Sequence, residues 1–173
     1  DCMEVMKHIK EKEADLSCVD PPYGIAWAGC FDSGSVRRAN GTVGKTRRPV
    51  FAKKSWDDEA PTAEYFRELI RVSVNQIIWG GNYFDLGPSR CVICWDKKQR
   101  FATFSAWEMA WTSFDSPASL FEFDNKGFMG EGASIHPTQK PVALYKWLLS
   151  RYAKPGDRIL DTHGGSGSIC IAC

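Results

Sequence analysis

The sequence predicts an α/β domain with a mostly parallel sheet and antiparallel strands at one edge. Two short segments, Ala14–Val19 and Asp157–Asp161, each have the character of a strand and end at turn-forming residues. The second continues through a glycine loop into the apolar start of a helix, and Val142–Tyr152 carries apolar residues at helical spacing. Strand, glycine loop and helix in this order are typical of an open α/β sheet.

The remaining elements follow from local signals. Apolar spacing predicts helices, and β-branched or aromatic runs between turn residues predict strands. Thr62 is the candidate N-cap of the second helix, and Pro141 suits the first turn of the helix formed by 142–152. The segment Trp107–Trp111 is ambiguous from its own residues. The predicted elements are helices Cys2–Lys12 and Thr62–Val74 and strands Gln76–Trp79 and Arg90–Trp95.

Composition indicates a protein that can bury a core. The 173 residues are 43% hydrophobic and 13% aromatic, and no apolar run approaches the ~18 residues of a membrane span. Without a signal peptide at its start and with an odd count of seven cysteines, the chain is expected to be cytoplasmic and reduced. Cys91–Cys94 and Cys170–Cys173 form two C-x-x-C pairs, which we interpret as buried structural thiols and not as a metal site.

The first strand ends at Asp20-Pro21-Pro22-Tyr23, where two prolines force the chain out of the sheet. An exocyclic amine of adenine or cytosine is a poor nucleophile because its lone pair is delocalised into the ring. Two acceptors on its N–H groups would favour a pyramidal nitrogen, and Asp20 with a proline carbonyl could supply them. Tyr23 could stack on the ring. The same residues also fit an ordinary turn.

Two further segments could bind a small ligand. The loop that follows Asp161 contains glycines and the start of a helix, which favour close approach of a negatively charged or carboxylate-bearing group. It lacks the lysine of a Walker loop and the G-x-G-x-x-G spacing. In Ile135–Pro141, the hydroxyl, amide and ammonium groups of Thr138, Gln139 and Lys140 could hold a zwitterion, although helix capping alone would also explain a threonine and a proline there.

Three segments resemble, in their order along the chain, the motifs of the permuted beta class of amino DNA methyltransferases. They are Asp20–Tyr23, His136–Pro141 and Asp161–Gly167. The resemblance covers nearly the whole chain, and 76–84 also looks like a strand and turn common in that family. It implies a circularly permuted, Rossmann-like fold and methyl transfer from S-adenosylmethionine to adenine N6 or cytosine N4. By analogy, Trp107–Trp111 is expected to be a strand that continues toward Ser119–Phe123.

The resemblance also implies roles for individual residues. The flipped target base would be held by Asp20, Pro21, Pro22 and Tyr23, and an aspartate at position 20 is typical of adenine enzymes. The cofactor would be bound by Asp1, Thr138, Gln139, Lys140, Asp161, His163, Gly164, Gly165, Ser166 and Gly167. No metal is implied.

The chain departs from the family pattern at two places. Thr162-His163 stands where the family usually has Pro-Phe, and His163 is expected to fill the phenylalanine space rather than act as a base. The chain stops at Cys173, before the strand that in the family supplies an acidic ribose ligand. We therefore expect a partial catalytic domain, truncated at both ends, that spans 1–173 and has no separate recognition domain.

A basic segment follows Tyr23. Between 26 and 54 the chain has one acidic residue, Asp32, and a net charge of +6, whereas the rest of the chain sums to −5. Rich in Gly and Ser, the segment 26–61 is predicted to be a mobile loop that meets DNA phosphates, and a solvated surface loop is the alternative. Its basic residues are Arg37, Arg38, Lys45, Arg47, Arg48, Lys53 and Lys54.

These observations predict direct methyl transfer to adenine N6 in flipped-out duplex DNA. Cytosine N4 or a protein glutamine are alternative amines, and a non-catalytic DNA-binding remnant is the alternative from another class. The resemblance allows a homodimer and a cognate restriction enzyme as partners, but the sequence decides neither, nor the recognition sequence. No membrane is expected as a partner.

Overall fold

Six strands form one mixed sheet in the part of the chain that the structure describes. Their order in the sheet is β7 (Ser119–Glu122), β5 (Ile93–Asp96), β6 (Trp107–Thr112), β4 (Ser73–Trp79), β1 (Ala14–Val19) and β8 (Ile159–Leu160). The structure is a computed structural model, and it describes residues 1–25, 57–98, 105–124 and 139–173, with the backbone of 35–37 and 43–45. The chain divides into two compact units, of which the first comprises Asp1–Pro21 and Pro61–Cys173 and the second comprises Pro22–Ala60.

The first unit contains the sheet and its helices. The parallel pairs are β1 with β4, β1 with β8 and β5 with β7, whereas β6 runs antiparallel to both β4 and β5. The elements are α1 (Cys2–Met6), β1 (Ala14–Val19), α2 (Ala63–Val72), β4 (Ser73–Trp79), a 3-10 helix (Gly81–Tyr83), β5 (Ile93–Asp96), β6 (Trp107–Thr112), β7 (Ser119–Glu122), α3 (Val142–Tyr152), β8 (Ile159–Leu160) and α4 (Ser168–Ala172).

The second unit contains a two-stranded antiparallel hairpin. Its strands are β2 (Ser35–Arg37) and β3 (Val43–Lys45), with Ser35 opposite Lys45. The segment predicted as a loop therefore includes regular backbone. Arg37 and Lys45 lie in these strands, but their side chains lie outside the described part of the chain, as do Arg38, Arg47, Arg48, Lys53 and Lys54 entirely.

Both faces of the sheet are covered by helices. Successive strand residues point to opposite faces, so Leu16 and Cys18 of β1 pack with α3, whereas Val19 packs with α1 and α2. The two core clusters account for the almost continuous burial of β1 and β4. This layered arrangement confirms the predicted α/β class, with one correction: the antiparallel strand β6 lies inside the sheet between β4 and β5, not at an edge.

The chain between β4 and the 3-10 helix passes very close to β6. A Cβ on Gly81 would lie 2.4 Å from the Cβ of Trp111, a separation at which a side chain cannot be accommodated. Gly80, just before it, has a φ of 72°, in the left-handed region. Both glycines are therefore required by the backbone path of the turn that follows β4.

Several predicted boundaries were wrong for reasons of tertiary structure. The first helix ends at Met6, not Lys12, because the Arg71 guanidinium donates hydrogen bonds to the carbonyls of Met6 (2.8 Å) and Ile9 (3.0 Å) and so satisfies the helix end. The second ends at Val72, and Ser73 begins β4. Pro141 is the N-cap of α3 rather than part of its first turn, with ψ of 140°.

Cysteine burial also differs from the prediction. Cys18 and Cys91 are buried, Cys2 and Cys94 are half-buried, and Cys170 and Cys173 are exposed, so the second C-x-x-C pair is not structural core. Within the described residues, no cluster of three or more potential metal ligands occurs. In the same residues, no helix has the length and apolarity needed to cross a membrane.

Candidate active site

Asp20 and Asp161 follow two neighbouring parallel strands. In the β1–β8 pairing, Ser17 lies opposite Leu160, so the chain leaves both strands at nearly the same level of the sheet. Because the carboxyl ends of parallel strands share one edge, both carboxylates lie where ligands of open α/β sheets bind. The first predicted motif and the glycine loop are therefore brought to the same edge.

Asp20 is held by a buried lysine from the start of α3. The Lys140 ammonium donates a hydrogen bond to Oδ2 of Asp20 and lies 3.2 Å from Oε2 of Glu108. It also lies 5.1 Å from the centre of the Trp79 ring, a cation–π distance. Only 3% of the Lys140 side chain is exposed, against 19% of Asp20 and 25% of Glu108.

The charges of this cluster stabilise one another. Burial would lower the pKa of Lys140, but Asp20 and Glu108 outweigh it and raise that pKa, so the ammonium stays charged. Burial would likewise raise the pKa of Glu108, but Lys140 and Lys97 lower it to about 2. Lys97 forms a further ion pair with Glu108. Lys140 was predicted to line the cofactor cleft, whereas its ion pairs join it to Asp20 of the first motif and to Glu108.

The loop after β8 is ordered by hydrogen bonds of its own. The Asp161 carboxylate accepts from the backbone N–H of His163 (2.9 Å), and Oγ1 of Thr162 lies 2.7 Å from the Tyr65 hydroxyl and 2.9 Å from Nδ1 of His163. The loop closes where the N–H of Gly167 donates to the carbonyl of Gly164 (2.7 Å). Thr162-His163 is thereby fixed to α2, which carries Tyr65.

Burial changes the proton affinities in this loop. It raises the pKa of Asp161, opposed by the hydrogen bond from the His163 N–H, and it lowers the pKa of His163. The His163 ring packs edge-on against Tyr65, with ring centres 5.5 Å apart. The imidazole is thus packed against an aromatic side chain, and the idea that His163 fills the phenylalanine position of the resembled family stays a prediction.

The lowered pKa of the half-buried His163 predicts a dependence of stability on pH. Since its pKa is lowered on folding, the unfolded chain takes up a proton first as pH falls through about 6.5. The free energy of unfolding should therefore decrease below that pH, by at most about 1.4 kcal/mol per pH unit for one proton. Urea denaturation between pH 7.5 and 5.5 should show a weaker decrease for His163→Gln than for the wild type.

The exposed His8 provides the matched control. His8→Gln should keep the wild-type pH dependence, because it leaves His163 and its contacts with Thr162 and Tyr65 in place. Equal pH dependence in His163→Gln and the wild type would contradict the assignment of the titration to His163.

A cavity of about 300 Å³ lies between α1 and the end of β8. Its lining brings together Asp1 and Cys2 from the start of α1 with Asp161 and Thr162. The rest of the lining is apolar, namely Val5, Met6, Ile9 and Leu160. The Asp1 carboxylate also caps α1 by accepting from the N–H of Met3 (2.8 Å). Two predicted cofactor residues that are 160 positions apart in the chain, Asp1 and Asp161, thus line one cavity.

Other predicted site residues are placed as follows. Pro21 belongs to the first unit, whereas Pro22 and Tyr23 belong to the second unit. Within the second unit, the Tyr23 N–H donates a hydrogen bond to Oδ1 of Asp57 (2.7 Å). Gln139 is half-buried next to Lys140, and Thr138 lies outside the described residues. Ser166 hydrogen-bonds Ser168 through the two hydroxyls (2.8 Å), at the start of α4.

Four residues of these clusters were missed by sequence reasoning: Lys97, Glu108, Tyr65 and Asp57. Glu108 alone offered a signal, because it is a single carboxylate within the aromatic run Trp107–Trp111. A charged residue in an apolar strand is rarely buried unless it is paired. The partners of the other three are distant in sequence, and no local pattern indicates them.

The strand order and the placement of the helices define the fold class. The chain has the Rossmann-like fold of S-adenosylmethionine-dependent methyltransferases, permuted so that the Asp20 strand precedes the glycine-loop strand. It is similar to the crystal structure of the M1.HpyAVI–SAM complex, with a TM-score of 0.56 and 16% sequence identity, over 100% of this chain and 84% of that one.

Sequence comparison finds similarity to DNA methylases. Residues 91–173 match the N6_N4_Mtase model, described as DNA methylase. The Type II methyltransferase M.HpaI of Haemophilus parainfluenzae is 34% identical over 58 residues, 34% of this chain and 18% of that protein. DNA adenine methyltransferase YhdJ of Escherichia coli (strain K12) is 36% identical over 59 residues, 32% of this chain and 20% of that protein. The chain is thus similar to N6/N4 DNA methylases over residues 91–173, and it spans about a fifth of the length of these two curated relatives.

Proposed function

We propose that this chain is a catalytic part of a DNA methyltransferase that transfers a methyl group from S-adenosylmethionine to adenine N6 in flipped-out duplex DNA. The observation that carries the proposal is the position of Asp20, which lies at the end of β1, is paired with Lys140, and is one strand away from Asp161 and its cavity. A base-handling carboxylate and a cofactor-sized cavity at one sheet edge suit a reaction between two ligands.

The residues around the cavity fit S-adenosylmethionine. Its apolar lining from α1 suits a nucleoside ring, while carboxylates at Asp1 and Asp161 suit hydroxyl or ammonium donors. The Asp161–Gly167 loop and the start of α4 would bind the methionine part, with Gln139 and Thr138 as further candidates. When bound, the cofactor supplies an electrophilic methyl group on a sulfonium.

The protein would then make the lone pair of the adenine N6 nitrogen available and orient it toward the methyl group. The Asp20 carboxylate would accept one N–H of the adenine amine and the Pro21 carbonyl the other, which favours a pyramidal nitrogen. The Lys140 ammonium would hold this carboxylate in place through their ion pair. Tyr23 remains the candidate for stacking on the base, worth about 1–3 kcal/mol. After transfer, the amine loses its proton to water.

Adenine is preferred over cytosine on two grounds. Aspartate at the first motif position is typical of adenine enzymes, according to the resemblance described above. The relative YhdJ, which carries the name DNA adenine methyltransferase, is among the sequence matches. Neither ground concerns a contact with the base itself, so the choice depends on product analysis.

Labelled-methyl transfer to duplex DNA by the natural full-length protein tests the proposal. Digestion of the product to nucleosides should yield labelled N6-methyladenine nucleoside. Label in N4-methylcytosine would reassign the target base, and label only in protein would reassign the substrate. Absence of both transfer and cofactor binding would contradict the proposal and favour a non-catalytic DNA-binding remnant.

The basic segment 26–54 is proposed to bind DNA phosphates, on the strength of its +6 charge. Charge reversal in Arg47→Glu/Arg48→Glu should weaken DNA binding and reduce the dependence of log K on log salt concentration. Binding measured by fluorescence anisotropy at several salt concentrations checks this. The double variant Lys10→Glu/Lys146→Glu, which makes the same charge change at exposed sites of the first unit, is the control. If both double variants show the same slope of log K against log salt concentration, the segment does not bind DNA and is an ordinary surface segment.

A further inference from the structure

Four charged side chains of alternating sign lie in a row that ends at Asp20. They are Lys97, Glu108, Lys140 and Asp20, and each is ion-paired with the next. We propose that Glu108 is a positioning residue that acts through Lys140 to hold the Asp20 carboxylate as an acceptor for the target amine. The inference rests on the proposed function. It gives a role to a residue of β6, a strand that contains none of the three sequence motifs.

The row of charges connects strands that are not neighbours. Glu108 lies on β6 and Asp20 follows β1, and β4 separates these two strands in the sheet. The Lys140 ammonium lies over β4 between these two strands, 5.1 Å from the ring centre of Trp79, which is a fully buried β4 residue. Lys140 comes immediately before the N-cap of α3, so Asp20, β6 and the start of this helix are tied together by one ammonium group.

Two carboxylates constrain the ammonium more than one would. With Glu108 on one side and Asp20 on the other, Lys140 is directed by both, and its side chain is almost completely shielded from water. Lys97 in turn pairs with Glu108, so the four groups together carry no net charge. A buried group of ions is stable only when its members are paired in this way.

Glu108 also affects how strongly Asp20 can accept a hydrogen bond. The ammonium of Lys140 divides its attraction between two carboxylates. Without the charge on Glu108, the Lys140 ammonium would interact more strongly with Asp20 and draw its carboxylate closer. The carboxylate would then accept a hydrogen bond from an amine N–H less strongly. We therefore expect loss of Glu108 to slow the transfer step itself, with little effect on binding of cofactor or DNA.

The experiment compares Glu108→Gln with Glu122→Gln in the natural full-length protein. Glu122 is the matched control, because it lies on β7 and is paired with Lys98, but about half of its side chain is exposed. Single-turnover methyl transfer should slow by about 10- to 100-fold in Glu108→Gln, the loss expected when a reacting group is misplaced. Dissociation constants for cofactor and DNA should stay within about twofold, as no binding contact is removed.

A double-mutant cycle tests the route through Lys140. In a Lys140→Met background, Glu108→Gln should cause little further slowing, because the link to Asp20 is already absent. If Glu108→Gln does not fold, Glu108→Asp keeps the charge and moves it by one methylene, and slowing of about tenfold would support the inference.

The outcomes separate this inference from the proposed function. A wild type that transfers no methyl group overturns both. An active wild type in which Glu108→Gln, or Glu108→Asp where it is needed, matches Glu122→Gln overturns the inference alone. The inference is also overturned if slowing in Glu108→Gln adds fully to that in Lys140→Met, or is accompanied by equal losses of cofactor and DNA binding.

Discussion

Replacing Asp20 by alanine should abolish most methyl transfer while leaving cofactor binding nearly unchanged. The substitution removes the acceptor that would hold the amine N–H, at the end of β1, and it leaves the cavity beside Asp161 intact. Loss of one preorganised polar group that acts in the transition state costs about 10²–10³-fold in rate. We expect a decrease of at least that size in the rate of labelled-methyl transfer to duplex DNA.

Asp115→Ala is the matched control for this substitution. Asp115 is also an ion-paired aspartate, with Arg90 as its partner, but 86% of its side chain is exposed. Its loss should leave the rate and the cofactor affinity at wild-type values. Thermal unfolding of both variants separates loss of function from loss of fold. A rate for Asp20→Ala within a few-fold of wild type would show that the Asp20 motif does not handle the reacting amine.

Sequence reasoning succeeded where an element's signal is local. The strand Ala14–Val19 and the helix Val142–Tyr152 were predicted with the observed bounds, since prolines delimit one end of each. Helical spacing alone does not identify the buried face of that helix: Leu144, Tyr145 and Leu148 are buried, whereas Val142 and Leu149 are only half-buried. Helical spacing allows neighbouring faces, and packing against the sheet selects one.

The first helix shows what local signals omit. Its residues favour helix as far as Lys12, but Arg71, from another helix, binds the carbonyls at Met6 and Ile9. Lys12 has a φ of 52°, in the left-handed region, and its N–H donates to the carbonyl of Arg71. The helix boundary is thus decided by contacts some 60 residues away in sequence.

In the candidate site, too, some features are indicated by local sequence and others depend on contacts between distant residues. Asp20, Asp161 and the glycine loop were found because each is part of a contiguous motif beside a strand end. The pairing of Lys140 with Asp20 joins positions 120 residues apart. Only the order of strands in the sheet brings Glu108 to the same ammonium, and that order is a property of the fold as a whole.

Replacing Lys140 by methionine should lower the free energy of unfolding at pH 7 by about 3 kcal/mol or more, the cost of leaving a buried charge without its partner. Methionine keeps an unbranched side chain over Trp79 but leaves the carboxylates of Asp20 and Glu108 without the ammonium between them. Urea denaturation measures the effect. Lys98→Met, which breaks a partly exposed pair with Glu122, is the control and should cost less than about 1 kcal/mol.

The dependence of this loss on pH identifies its origin. In the wild type the pKa of Glu108 is lowered from about 4.5 to about 2, so its ion pairs stabilise the fold above pH 4.5 and lose that effect as pH falls toward 2. Without Lys140, Glu108 should protonate more readily in the folded state. The stability difference between the wild type and Lys140→Met should therefore narrow between pH 7 and pH 4. A difference that stays constant over this range would assign the loss to packing against Trp79, because dispersion contacts do not depend on protonation.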